Sequence, residues 1–195
     1  MAKWGALIVL AAAQFLMVLD QAVMNVAIST LVEDFDTTVT TIQAVIAFYA
    51  LVMAGLMLTG GKLGDIFGRR RIFVIGMIIY ACGSAMTAAS GSIATLTLGW
   101  SVLEGIGAAM VLPAMVALVA GSYEGKQRAL AYGVLGGVAG AGIAVGPILG
   151  GWATTELSWR IVFVGEVVVA LGILASMRMV KEPALKPGAV LDWVG

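Results

Sequence analysis

Histidine is absent from these 195 residues, and cysteine occurs once, at Cys82. No internal disulfide can form, and a Cys/His metal site is excluded, so no metal or other cofactor is expected. Charge is scarce too: 11% of the chain is Asp, Glu, Lys or Arg, against about 25% in an ordinary soluble domain. A globular chain of this length could bury a core, but too little charge is left to clothe it. The balance is even, 11 bases to 11 acids, so composition does not point to nucleic acid. The stretch "GLMLTGGKLGD" holds Gly-Gly-Lys without the spacing of a phosphate-cradling loop. No nucleophile–base pair is evident either, so the chain is not expected to be an enzyme.

What is present is apolar. Hydrophobic residues make up 61% of the chain, and the mean hydropathy is +1.05. A spanning helix needs about 20 mostly apolar residues. Six stretches qualify, at 5–28, 42–61, 72–90, 96–119, 129–152 and 159–178, separated by polar punctuation such as "EDFDTTVT", "SYEGKQR" and "TTELSW". The first is too long for a cleaved signal peptide. The reading is an all-α integral membrane protein, one six-helix bundle over 1–180 with a Pro/Gly-broken tail over 181–195.

Ten of the eleven bases (Lys3, Lys62, Arg69, Arg70, Arg71, Lys126, Arg128, Arg178, Lys181 and Lys186) fall on one side of this topology, and only Arg160 on the other. The positive-inside rule makes that side cytoplasmic, with both termini inside a multi-pass cell-membrane protein. Glu33, Asp34 and Asp36 then lie outside. Trp4 and Trp159, near helix ends, are expected as interface anchors.

Three acids interrupt the apolar spans: Asp20, Glu104 and Glu166. At about 1.5 Å per residue, each lies ~10–12 Å below the outer end of its helix. No base is expected at that level. An ionisable group inside a membrane is costly and marks a functional site by default. Burial and mutual repulsion can keep protons on the acids, or a cation can supply the missing charge. A site that alternates between those states is a cation/proton exchanger. The competing reading for each is a protonated carboxyl that bonds between helices.

Between the second and third spans stands Gly61-Lys62-Leu63-Gly64-Asp65-Ile66-Phe67-Gly68-Arg69-Arg70-Arg71. This resembles the signature loop of the major facilitator superfamily, G-x-L-a-D-r-x-G-r-r. The fifth span carries Gly133, Gly142, Gly146-Pro147 and Gly150-Gly151, which resembles the G-x8-G-x3-G-P-x2-G-G motif of antiporters in that superfamily. Small residues four apart let helices approach closely in lipid, and Pro147 should bend its helix. "LDQAVMNVAIS", with Asp20 and Asn25, is similar to the L-D-x-T-x-x-N-V-A-L-P pattern of drug:proton antiporters of the fourteen-helix type. Ala22 and Ser29 depart from it. The fourth span places Ser101 at the family's arginine position and Glu104 at its glutamine, and the sixth places Glu166 at an asparagine position.

The resemblance implies the N-terminal half of a transporter, with no catalytic residues. Its implied activity is proton-coupled efflux of cationic, lipophilic small molecules by alternating access, driven by the proton gradient. Asp20 and Glu104 would line a central cavity with Asn25, Tyr49 and Ser101, and Phe48, Phe15, Trp100, Met17, Met24 and Met53 could add a greasy lining. Glu166, on a helix that is peripheral in the family, would pack or face a neighbouring bundle. The glycines, Asp65, Arg69, Arg70 and Pro147 would serve the conformational change.

A half encloses no site, because transporters of this kind bind substrate between two six-helix halves. One solution is a parallel homodimer, with the fifth span packed across the interface and Asp65 facing the partner's fifth span. The alternatives are an excised or truncated half of a larger exporter, suggested by "LDWVG" at 191–195, or a non-transporting membrane module.

Overall fold

The computed structural model describes residues 2–182, with side chains from Trp4 onward. The described residues are almost wholly helical. Six helices are long and apolar enough to cross a membrane: α1 (Ala2–Val26), α3 (Val39–Phe67), α4 (Arg69–Ala88), α5 (Ile93–Ser122), α6 (Gly125–Glu156) and α7 (Trp159–Ser176). A short α2 (Ile28–Asp34) follows α1 almost without a break.

Most of the helices run further than their apolar stretches. α3 begins at Val39, where the Thr38 hydroxyl accepts from the Thr41 N–H, and it continues through the glycine motif to Phe67. Side-chain caps also start α5, at Ser92, and α7, at Ser158, satisfying backbone donors that hydropathy does not register. The turn from α3 to α4 is one residue, Gly68, whose φ of +104° suits only glycine. α6 runs unbroken through Pro147. Of the tail expected over 181–195, only Lys181 and Glu182 lie within the described residues.

The bundle is built around α1, α4 and α5. α1 packs along α6, and α5 packs against both α3 and α4, which also meets α7. Between α4 and α5 the seam is glycine to glycine. A Cβ at Gly107 of α5 would sit 2.7 Å from the Gly76 carbonyl of α4, and one at Gly83 of α4 would sit 2.7 Å from the Gly99 carbonyl of α5. Backbones this close gain dispersion contacts, which drive helix association where lipid removes the hydrophobic term.

α3 and α6 are the least covered helices. Gly133, Gly136, Gly137 and Gly140 of α6 face open space, whereas Gly142, Gly146 and Gly150 are buried against Val18, Ala22 and Val23 of α1. The expectation that the fifth span packs its glycines across a dimer interface is therefore corrected for this second set. Gly146 is used inside the chain.

Candidate functional site: three acids sealed inside the bundle

α5 is not α-helical throughout. Thr97–Glu104 is a π-helical stretch, in which the Gly105 N–H reaches back five residues to the Trp100 carbonyl. The wider turn re-aims its side chains, a common device at functional sites. Trp100 Nε1 donates to Asp20 Oδ1 on α1 at 2.8 Å, and Ser101 Oγ donates to the Val45 carbonyl on α3 at 2.8 Å. Glu104 Oε1 accepts from the Thr87 hydroxyl on α4 at 3.0 Å. One irregular segment thus touches α1, α3 and α4.

Glu166, on α7, points into the same place. Its Oε2 accepts from Ser84 Oγ at 2.8 Å and from the Tyr80 hydroxyl at 3.4 Å, both on α4. One carboxylate oxygen each of Asp20, Glu104 and Glu166 lies within 4.8 Å of the other two. Glu166, a candidate for the site although its helix is peripheral in the family, does join the other two, and Ser84 of α4 donates both to it and to the Phe163 carbonyl of α7.

All three acids are closed off, at 0%, 0% and 2% exposure. Each keeps one oxygen bonded and one without a partner: Asp20 Oδ2, Glu104 Oε2 and Glu166 Oε1. Both ion pairs among the described residues lie elsewhere, so no base neutralises the cluster. A second correction follows. Asp20 and Glu104 do not line an open cavity but sit within the six-helix core, where a drug-sized molecule cannot reach them without helix movement. Tyr49 and Trp100, stacked with centroids 4.5 Å apart, are likewise buried, as are Met17 and Met24, while Phe48 is exposed and Met53 is half-buried. Asn25 is exposed and bonds its own helix at Gln21, apart from the cluster. Phe15, with Trp4, Leu7, Ile8, Val134 and Val138, lines a separate apolar groove of about 590 Å3 between α1 and α6.

At one end of the bundle the glycine motif forms a clasp. Arg69 pairs with Asp65 at 3.1 Å and donates to the Ala117 carbonyl of α5, while Arg70 Nε donates to the Met177 carbonyl after α7. Gly61 touches Pro113, and Gly64 is buried beside Arg69. Glu182 accepts from the backbone N–H groups of Arg69 and Arg70 at 2.8 and 3.0 Å, capping α4. Glu182 was not expected from the sequence; an acid three helices past a basic helix start is the signal it leaves. Asp65 meets an arginine of its own motif in this structure.

The opposite end is tied by Arg160, the base that lies apart from the others. It pairs with Asp34 at 2.6 Å, donates to the Ser90 carbonyl and covers Trp159 at 4.4 Å. Trp159 also donates to Asp34, and it is 1% exposed, so it is a core residue and not an interface anchor. The Trp159 hydrogen bond first, then Arg160, hold the Asp34 carboxyl below its usual range.

Six helices long and apolar enough to span a membrane thus form one bundle around three buried acids. The chain belongs to the Major Facilitator Superfamily, whose family model matches residues 10–191. It is 39% identical to the puromycin resistance protein pur8 of Streptomyces alboniger, over 99% of this chain and 39% of that protein. It is 35% identical to the multidrug efflux pump LfrA of Mycolicibacterium smegmatis, over 92% and 36%. Among solved structures, a peptide transporter POT in complex with sulfate shares the fold at a TM-score of 0.75 and 19% identity, over 89% of this chain and 37% of that one. The chain therefore spans about two-fifths of the length of such relatives.

Proposed function

We propose that this half-bundle belongs to an exporter of drug-like small molecules, in which outward movement of substrate is exchanged against protons held at Asp20, Glu104 and Glu166. The observation that carries the reading is the sealed cluster. Three carboxylates with no counter-base need a neutralising charge. Their burial admits only a small ion, so the coupling ion and the drug occupy different places. The apolar groove along α1 and α6 suits the lipophilic part of a substrate, with Phe15 and Trp4 able to meet a cationic head through their ring faces. Kinship with puromycin resistance and multidrug efflux proteins supports the substrate class.

In this reading, alternating access rocks the bundle against a second one facing the exposed sides of α3 and α6. The clasp at Asp65, Arg69, Arg70 and Glu182 holds the end that carries most of the bases, which faces the cytoplasm by the positive-inside rule. A second copy of this chain, forming a parallel homodimer, supplies the missing bundle. The competing reading, in which further length of one longer exporter supplies it, is favoured by the share of each relative that this chain covers.

The test is export of a lipophilic cation from proteoliposomes under an imposed pH gradient, comparing wild type with E104Q and E166Q. Export that depends on the gradient and on both acids supports the reading; export indifferent to both removes it.

A further inference from the structure

We propose that the Asp20–Glu104–Glu166 cluster also binds a hard divalent metal cation of about calcium's size. This rests on the reading of the cluster as the small-cation site, and adds an ion the site accepts besides the proton.

Every donor at the cluster is oxygen. The chain has no histidine, and its one thiol, Cys82, is exposed on the bundle surface. Such a donor set suits oxygen-seeking cations and not zinc or copper. Size narrows the choice. At the widest separation of 4.8 Å, an ion equidistant from the three oxygens sits about 2.8 Å from each. Calcium, with bonds of about 2.3–2.6 Å, needs a slight contraction, whereas magnesium, at about 2.0–2.1 Å, needs a collapse of the cluster or several waters.

The second observation lies in how the acids are held. Trp100, Thr87, and Ser84 with Tyr80 each fix one oxygen of one acid from outside, and the other oxygen of each is buried without a partner. Metal sites commonly hold their ligands through such outer hydrogen bonds. Tyr49 adds a buried hydroxyl without a hydrogen-bond partner, on the ring stacked against Trp100, whose indole holds Asp20. Charge agrees with size: one divalent ion and one retained proton leave three carboxylates neutral.

The experiment uses the full chain in nanodiscs, titrated with Mn2+ at fixed pH while electron paramagnetic resonance reads the free ion. One Mn2+ per chain is expected, displaced by Ca2+ at lower concentration than by Mg2+. Removing a ligand should cost at least the roughly 10–100-fold that changes in outer partners cost metal sites, so E104Q and E166Q should each bind at least tenfold more weakly. Thermal unfolding of each metal-free variant separates lost ligation from lost folding, and Ca2+ should raise the unfolding temperature of wild type alone. Wild type that binds no Mn2+, or binds it no better than the E104Q/E166Q double variant, overturns the proposal. Export measured on the same samples keeps the two ideas apart. Dependence of export on Glu104 and Glu166 without bound metal removes the metal and leaves the exchange reading; export indifferent to both acids removes the exchange reading itself.

Discussion

Glu104 and Glu166 are legible one by one in the sequence, but not as neighbours. An acid in "LGWSVLEGIGAAM" is visible as an anomaly in any apolar window, and so are Asp20 and Glu166. Their meeting point is not visible, because it depends on the π-helical turn at Thr97–Glu104 and on how closely α7 approaches α4. Loss of one acid from a cluster of three should lower gradient-driven export about tenfold or more, which corresponds to about 1.4 kcal/mol of lost ion binding. Gln at 166 can still bond Ser84 and Tyr80, so E166Q should fold normally by circular dichroism while failing in export. Asp34 carries a different expectation. Its carboxyl titrates below the usual range in the folded chain, so its contribution is fully present above the unfolded value of 3.8 and is lost as pH falls through the lower folded value. Because the pair with Arg160 is well exposed, D34N should cost less than about 1 kcal/mol at neutral pH. The difference between D34N and wild type should shrink on acidification below pH 4, read by thermal unfolding.

At the scale of the helix, the six spans were legible because length and hydropathy dictate them, and so was the start of α7 at Trp159, but α3 and α5 begin earlier than their apolar windows, at the Thr38 and Ser92 caps. The glycines were legible as packing residues, but not their partners: Gly142, Gly146 and Gly150 serve α1, while Gly76 and Gly83 on α4, outside any motif, make the seam with α5. A methyl group at Gly83 would meet the Gly99 carbonyl and the Glu104 Cγ at 2.7 Å each, and the carbonyl cannot rotate away. G83A should therefore destabilise the chain by about 1–3 kcal/mol in detergent unfolding and disturb export. G165A and G172A, with nothing within 4 Å, should be neutral or mildly stabilising in the same assay. The π-helical turn makes a sharper test. Deleting exposed Leu98 removes the extra residue that a five-residue repeat needs, and should turn Trp100 away from Asp20. A Trp100 emission that matches wild type would argue against that coupling.

For the whole molecule, the open question is what covers α3 and α6. Leu51, Leu58, Ile143 and Ile148 are exposed along them at 64–87%, as suits side chains that face lipid or a second bundle. Light scattering in nanodiscs, with lipid mass subtracted, should give twice the 20.0 kDa of one chain if a second copy provides the cover. A single-chain mass would assign that cover to further length of a longer exporter.

The cap that Glu182 places on α4 has a consequence in time as well as in space. It joins residues 112 apart, and synthesis at about 5–20 residues per second separates them by about 6–22 s. For that interval the first backbone donors of α4 stand without their cap while α5, α6 and α7 are still being inserted. The turn thus keeps its net positive charge, offset at Arg69 by Asp65, until Glu182 arrives after the sixth span. A protein whose orientation must be read from its charges gains by neutralising them last.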